Sequence, residues 1–563
     1  MAFGKDQELL ARTNDINPDG LQLISKRSEM FLPDQQLSYS SGAKDIDICF
    51  VCSPLNWSAV HLPYHYLYLG AWLDKEKLTY QIIDERLDNF YLYKIKNAIN
   101  KKDAVDIVSD KIIKRLKKIK PKLVGFAVYT SDYTAIMKLA ERIKQEIDTK
   151  IVVGNAHASI APQDFIFPGS PVDYVVIGEG ELTLAELIQK MKSNESLEDV
   201  AGMAFLKDNA FFLTKRRNLL EKLDMPRPAY GSIDMRGYIQ PTIYKIRYLL
   251  ISCVDIYTGR GCPFRCEFCA ANTVWKTHGS LNFVRYRPID NVIEEITYLK
   301  KTYGIDAFYV MDDTFTMRKD RVYEFCQKLK EANLGLIWAA ETRVNLIDDD
   351  LVRTMKDAGC IQLDFGVESG SQKCLDEMQK AITVEQVKAA FLLCKKHGIR
   401  TFANMLVNIP HETEADIEAS DALLNEIRPT ESGFSITTPF PGTALYEKYV
   451  NPKLTKEEYP QLFDSRLIET KRFRLCSHSL NLTELRERML RKHSYSNNTP
   501  SLYAFISHER YRRAVSKSIR KTQYLKEAIL LNFNSFAKRF MPKKRSPDTT
   551  LSKNITSNST EDS

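Results

Sequence analysis

At 563 residues the chain is too long for one hydrophobic core and suggests about three domains. Hydrophobic residues make up 44% and charged residues 27%, the balance of an ordinary soluble globular protein. No window approaches 18 uninterrupted apolar residues and residues 1–8 lack a signal-peptide core, so no membrane span or export signal is expected and the reading is a cytoplasmic protein with free cysteines.

Residues 1–40 are polar and mixed, without clear periodicity, and read as an N-terminal extension. Over 41–197, strand-like runs at Asp45–Cys52, Thr79–Ile83, Leu123–Val128, Ile151–Gly154 and Tyr174–Ile177 alternate with helix-period segments at Tyr64–Asp74, Tyr133–Ile147 and Leu182–Lys192. Such alternation predicts a doubly wound, Rossmann-like parallel sheet, whose ligands bind beyond the carboxyl ends of the strands. Those ends read Ser53-Pro-Leu with Leu62-Pro63, Tyr129-Thr130-Ser131-Asp132, Gly154-Asn155-Ala-His157-Ala-Ser159 and Gly178-Glu179-Gly180-Glu181. Singly, each Gly or Ser is turn chemistry as readily as a ligand contact. Cys49 and Cys52 form a CxxC, but on a strand residues three apart point to opposite faces, so they are expected to pack rather than share a metal.

Taken in order, these strand ends resemble the cobalamin-binding domain that precedes the catalytic barrel in one large subgroup of radical S-adenosylmethionine (SAM) enzymes. The resemblance implies cobalamin contacts at Leu62, Thr130, Ser131, His157, Gly178, Glu179 and Gly180. Two departures stand out. Asn155 occupies the place of the usual second glycine, and asparagine tolerates positive φ. No Asp-x-His-x-x-Gly is present, so the resemblance implies cobalamin bound without a protein histidine on cobalt.

Residues 198–245 read as a linker, with a β-like stretch at Gly202–Leu213 and the proline-stiffened Leu223-Asp-Met-Pro-Arg-Pro-Ala229. From 246 to 450, strands at Ile251–Tyr257, Ala307–Met311, Leu336–Ala340, Ile361–Val367, Thr401–Val407 and Gly433–Thr437 alternate with helices at Asn291–Tyr303, Lys319–Ala332, Asp349–Ala358, Val384–His397 and Glu414–Glu426. Six such strands predict a partial (β/α)6 barrel of TIM type, with functional residues at the strand C-termini.

After the first of these strands comes Thr258-Gly-Arg-Gly-Cys262-Pro-Phe-Arg-Cys266-Glu-Phe268-Cys269. Cys-x3-Cys-x2-Cys lets one loop wrap three thiolates around one corner of an iron–sulfur cube and leave the fourth iron open. Structural zinc wants four ligands, and the nearest candidate, His278, stands alone. The motif resembles that of the radical SAM enzymes, in which SAM chelates the open iron and an aromatic, here Phe268, precedes the last cysteine. The resemblance assigns Cys262, Cys266 and Cys269 to a [4Fe–4S] cluster and as the catalytic residues.

The remaining strand ends carry candidate SAM contacts. Met311-Asp312-Asp313 offers carboxylates for an ammonium group, although one of the two acids can serve as a helix N-cap. Arg343, in Glu341-Thr-Arg343, has the fork that suits a carboxylate. Gly366-Val-Glu368-Ser369-Gly370 is close to a family motif beside the ribose and methionine portions, and Thr438-Pro439-Phe-Pro-Gly442-Thr443 is another, implied near the adenine. Relatives show Gly-x-Pro-Gly-Glu-Thr after the fifth strand. This chain has Asn408-Ile-Pro410-His411-Glu412-Thr413, which narrows the backbone angles available and adds a titratable ring.

Residues 451–545 form a basic, helical C-terminal region. Its Leu485–Arg545 segment holds 16 Lys or Arg against three acids, and it precedes a tail, 546–563, of disordered composition. The stripe Leu525, Ile529, Phe533, Phe536 and Phe540 makes Ser518–Met541 an amphipathic helix, able to dock on its own domain or to touch an anionic membrane peripherally.

The expected function is reductive cleavage of SAM and hydrogen abstraction from an unactivated C–H bond of a small-molecule or lipid substrate, with cobalamin-dependent methyl transfer. Two alternatives stand beside it: ring closure, rearrangement or oxidation without methylation, and a non-catalytic cobalamin-binding or sensor protein. The resemblance implies an external electron donor such as flavodoxin or ferredoxin, and no nucleic-acid partner is expected.

Overall fold

Two mainly parallel sheets follow one another along the chain, each built from aliphatic and β-branched strands that helices cover. The computed structural model describes residues 45–55, 61–86, 101–239, 245–247, 249, 251–276, 284–463 and 472–493. The extension 1–40, His278, the amphipathic stretch 518–541 and the tail 546–563 lie outside the described residues.

The first unit runs β1 (Ile48–Val51), α1 (Tyr64–Lys75), β2 (Tyr80–Ile83), α2 (Lys101–Ile119), β3 (Leu123–Ala127), α3 (Tyr133–Glu146), β4 (Lys150–Gly154), α4 (Ala156–Ile160), β5 (Tyr174–Val176), α5 (Gly180–Ser193), β6 (Met203–Lys207) and β7 (Ala210–Leu213). Strand order is β2-β1-β3-β4-β5-β6-β7. The chain steps from β1 out to β2 and then returns to the other side of β1, so the order reverses between β1 and β3. That reversal opens a crevice where ligands bind in such sheets. β6 and β7 are antiparallel and extend this sheet, so the hairpin assigned from sequence to the linker belongs to the first unit. Helix α2 falls where no helix was expected. Its lysine-rich sequence buries Val108, Ile112, Ile113 and Leu116 against one face of the sheet. Cys49 and Cys52 enter different hydrophobic clusters, on opposite faces as the strand period requires.

The second unit runs β8 (Cys253–Ile256), β9 (Gly259–Arg260), α6 (Ala270–Lys276), β10 (Arg285–Tyr286), α7 (Ile289–Tyr303), β11 (Ala307–Val310), α8 (Lys319–Glu331), β12 (Ile337–Thr342), α9 (Asp349–Asp357), β13 (Cys360–Glu368), α10 (Gln372–Glu377), α11 (Val384–Lys396), β14 (Arg400–Val407), α12 (Glu414–Ile427) and β15 (Glu431–Ile436). Six parallel strands in the order β15-β14-β13-β12-β11-β8 form the partial barrel expected. The helices over its outer face pack on an aromatic knot in which Trp338 stacks on Phe308 at 5.9 Å and meets Phe315 and Phe325 edge-on.

The C-terminal region binds to both units. After α13 (Ala444–Tyr449), Tyr459 packs edge-on against Tyr133 and His157 of the first unit. Helix α14 (Leu482–His493) lies along β15, with Leu485 and Met489 in the core and Arg486 Nε donating to the Phe434 carbonyl at 2.8 Å. Lys492 and His493 meet Asp421 of α12 at 2.6 and 2.7 Å.

Trp338 is fully buried. Trp338→Ala is expected to cost about 3–5 kcal/mol of unfolding free energy, read by chemical denaturation.

Candidate active site

Tyr66 fixes the crevice at the strand reversal. Its hydroxyl donates to the Val51 carbonyl at 2.8 Å and accepts from the Ala127 amide at 2.7 Å, bolting the first turn of α1 across the ends of β1 and β3. Two cavities adjoin this bolt. The smaller, ≈ 290 Å³, is lined by Gly125, Gly154, Gly178 and Gly180 with Phe50, Tyr66 and Leu184. At Gly180 a Cβ would come within 3.1 Å of Leu69, so the space depends on glycine. Asn155 takes φ +81°, and its side chain accepts from the Ala156 amide at 2.7 Å, as a residue tolerant of positive φ can.

The larger cavity, ≈ 610 Å³, lies between the units. Leu62, Tyr64, Tyr129 and Ser131 face it from one side, and Asp255, Tyr257, Met311 and Asp313 from the other. Tyr64 also donates to the Asp255 carbonyl across the junction. His65 borders both cavities. Burial, helped by the Arg86 charge, holds its imidazole down at about 3, so it is neutral.

Four charged side chains then tie the glycine–acid loop of the first unit to the cysteine loop of the second. Arg260 bonds Glu179 at 2.7 Å and Glu181 at 2.6 Å, while Arg285, its antiparallel neighbour in β10, bonds Glu179 at 2.9 Å. Burial pushes the Glu179 carboxyl up, but the hydrogen bonds and charges of Arg285 and Arg260 outweigh it and hold it at about 2. Glu179 borders the smaller cavity, yet its carboxylate serves this junction rather than standing free for a ligand.

Downstream of Arg260 the cysteine loop is held by later loops. The Glu267 amide donates to the Met378 carbonyl at 3.0 Å, and the Leu445 amide to the Glu267 carbonyl at 3.3 Å. Phe268 packs with Cys374, Met378 and Ile409. Cys262 Sγ lies 3.5 Å from Thr314 Oγ1, and Cys266 Sγ receives Arg343 Nη1 at 3.6 Å. Cys262 and Cys269 are partly exposed and Cys266 is buried.

Several expected SAM contacts have other work in this structure. The Asp312 carboxylate accepts the Thr258 amide at 2.6 Å, the Gly259 amide at 3.2 Å and the Thr258 hydroxyl, so it braces the entry to the cysteine loop. Burial pushes this carboxyl up to about 6. Its neighbour Asp313 is the acid that faces the larger cavity. Arg343 stacks on Phe264 at 3.7 Å and donates to the Lys380 and Ala381 carbonyls, while its buried Nε has no partner among the described residues. Glu368 forms a buried ion pair with Lys380 at 2.6 Å. Ser369 Oγ accepts the Ser371 amide at 3.1 Å, and Thr438 Oγ1 donates to the Ile436 carbonyl. Pro439 is buried in the turn before Gly442, where a Cβ would strike Ile160 of the first unit at 2.6 Å.

His157 departs from expectation. It borders neither cavity; its Nδ1 lies 3.0 Å from Thr130 Oγ1, Asp164 is 3.3 Å from Nε2, and Tyr133, Phe165 and Tyr459 surround the ring. Thr130 and His157 therefore form an internal support for the C-terminal region. The loop after β14 also resolves. Asn408 and His411 take φ +67° and +58°, so the left-handed turns that glycines would make persist. Asn408 is buried, and its amide bonds the Thr437 and Phe473 carbonyls and the Leu475 amide. His411 is exposed beside Tyr449 and Glu377, away from the cavities.

Sequence reasoning missed Lys380, Tyr66, His65 and Arg260. Arg260 lies inside the quoted cysteine motif, whereas Lys380 sits in a connecting loop with no local signal.

Residues 256–424 match the Radical SAM superfamily model, and residues 96–188 match that of the B12 binding domain. The chain is 30% identical over 353 residues to an uncharacterized methyltransferase of Pyrococcus horikoshii, spanning 61% of this chain and 72% of that one. It is 28% identical over 354 residues to the anaerobic magnesium-protoporphyrin IX monomethyl ester cyclase of Rubrivivax gelatinosus, spanning 61% of each. The solved radical SAM methyltransferase TsrM of Kitasatospora setae shares the fold, with a TM-score of 0.57 at 18% identity over 71% of this chain and 75% of that one. The chain belongs to the radical SAM enzymes that carry a cobalamin-binding domain, so its cofactors are a [4Fe–4S] cluster, SAM and cobalamin. Enzymes of this superfamily draw on an electron donor and a small-molecule substrate. No helix among the described residues is long and apolar enough to cross a membrane.

The residues present fit these groups. Three thiols lie on one tethered loop, the supply that a cube with three thiolates on three irons needs. A glycine-lined cavity beside the strand reversal leaves room for part of cobalamin, and the unpartnered Arg343 Nε stands near the cysteines.

The Glu179 carboxyl is ordinarily near 4.5 and is held at about 2 when folded. It therefore adds stability above pH 4.5, and this is lost as pH falls toward 2. Thermal melts of Glu179→Gln should show a midpoint well below wild type at pH 7 and a difference that shrinks as pH drops through that window.

Proposed function

We propose that this chain is a methyltransferase that places a methyl group on an unactivated carbon of a small molecule. The observation that carries this reading is the ≈ 610 Å³ cavity walled by the strand-reversal crevice on one side and the barrel mouth on the other. Its volume is in the range of small-molecule sites. When bound, the cluster and SAM supply the one-electron chemistry that removes a hydrogen atom from carbon, and cobalamin supplies the methyl group.

The chain's own residues divide the work. Cys262, Cys266 and Cys269 would hold the cluster, with Arg343 donating toward the Cys266 sulfur. Phe268, Asp313, Arg343, Glu368, Ser369, Thr438 and Pro439 are the proposed SAM contacts, and Lys380 positions Glu368. Asp312 acts through Thr258 as a brace. Gly178 and Gly180 border the glycine-lined cavity and Leu62 and Ser131 the larger one beside it, and these four are the proposed cobalamin contacts. Tyr64, Tyr129 and Tyr257 narrow the junction and limit water. In the barrel, burial and the charges of Asp364, Asp313 and Asp255 push the Glu341 carboxyl up to about 7, so near neutral pH it can donate as well as accept a hydrogen bond. Flavodoxin or ferredoxin is the proposed electron source.

The cyclase relative favours a second reading, ring closure or oxidation without methyl transfer. Product mass separates the two. After anaerobic reconstitution with iron, sulfide and hydroxocobalamin, a product heavier by one methylene unit supports methylation; formation of 5′-deoxyadenosine with no added carbon supports the second reading.

Cys262→Ala, Cys266→Ala and Cys269→Ala are each expected to lose the cluster's visible absorbance and to reduce 5′-deoxyadenosine formation by more than 100-fold, since every thiolate closes one iron. Retention of both in any one variant would remove that cysteine from the ligand set.

A further inference from the structure

We infer that His65 ligates the cobalt of cobalamin, taking the place of the histidine whose sequence motif this chain lacks. The inference rests on the cobalamin-dependent reading above and goes beyond it, because the missing Asp-x-His-x-x-Gly implies no protein ligand at all.

Position is the first argument. His65 lies in the first turn of α1, the helix that follows β1, and the strand order reverses between β1 and β3. A ligand of an open parallel sheet sits at such a reversal, beyond the strand carboxyl ends. His65 borders both cavities there; His61 borders only the larger, and His157 borders neither. A group spanning the two spaces must pass this imidazole.

Orientation is the second. Tyr66, the next residue, is bonded to the ends of both β1 and β3. The His65 ring packs edge-on to the Tyr66 ring at 4.2 Å, so the same bolt that fixes the helix fixes the imidazole beside the cavities. Third, no hydrogen bond among the described residues engages its ring nitrogens. The ring is half-buried, and an imidazole held neutral keeps a lone pair for a metal. The two other histidines near the crevice are engaged, His61 with Asp255 at 3.4 Å and His157 with Thr130 and Asp164.

The test is electron paramagnetic resonance of the full chain loaded with cob(II)alamin, prepared once at natural abundance and once with [15N]histidine. A histidine ligand splits the cobalt lines into three with 14N and into two with 15N, whereas the cofactor's own benzimidazole nitrogen gives three in both samples. The expected result is a change from three lines to two on labelling, and loss of the splitting in His65→Gln while cobalamin remains bound by its visible spectrum. Three lines in both samples, or no nitrogen splitting, would overturn the inference and leave the cobalamin reading intact. A two-line pattern surviving in His65→Gln would also overturn it and move the ligand to another histidine. Failure of the wild-type chain to retain cobalamin would overturn the inference together with the reading beneath it.

Discussion

Arg260 sits two residues before Cys262, and its guanidinium is clasped by Glu179 and Glu181 from the loop after β5. Arg285 completes the group from the strand paired with it. These charges are largely withdrawn from water, and removing Arg260 takes from Glu181 its arginine, the kind of loss at a buried pair that typically costs about 3–5 kcal/mol. Gain in stability is a weak reason to build such a junction, because well-packed apolar residues would hold as well. Geometry is the stronger reason. The planar fork of arginine meets carboxylates in a fixed plane, and here it sets the cysteine loop against the glycine-lined cavity of the other unit.

Everything near the larger cavity follows from that alignment. Asp312 holds the backbone of Thr258 and Gly259 just before the cysteines, and loops after β13 and β15 hold the backbone after Cys266. Tyr64 and Tyr66 fasten the same helix to the barrel and to the first sheet. The C-terminal region adds a strap, with Tyr459 on the first unit and the segment 472–478 bonded to Asn408 and Glu412 on the second. A site that must hold reactive groups in register gains from such redundant supports, because small misplacements cost rate.

Much of the architecture was legible because periodicity and motif spacing are local properties. All six barrel strands and five of their helices lie within a few residues of expectation, whereas the strand order of the first sheet, with its reversal between β1 and β3, has no local signal in the sequence. Helix α2 escaped because its apolar stripe is interrupted by lysines, and the β6–β7 hairpin because nothing local distinguishes a linker hairpin from two added edge strands. Side-chain direction was the harder quantity. Adjacent Asp312 and Asp313 read alike in sequence, yet one turns inward to Thr258 and the other to the cavity. His157 sits in a motif-like run but is enclosed by residues from distant segments, including Tyr459. The glycine-poor loop at 408–413 kept its backbone, since asparagine and histidine tolerate the left-handed region better than most residues.

The Arg260 junction sets the cysteine loop beside the cavities at the strand reversal, so a cluster on that loop and a cobalamin in that crevice would be close neighbours. The most direct measurement is electron paramagnetic resonance of the chain carrying both the reduced cluster and cob(II)alamin. The two signals should be mutually broadened or split by spin–spin coupling, and Arg260→Ala should weaken this. Two sharp, independent signals in the wild-type chain would contradict it.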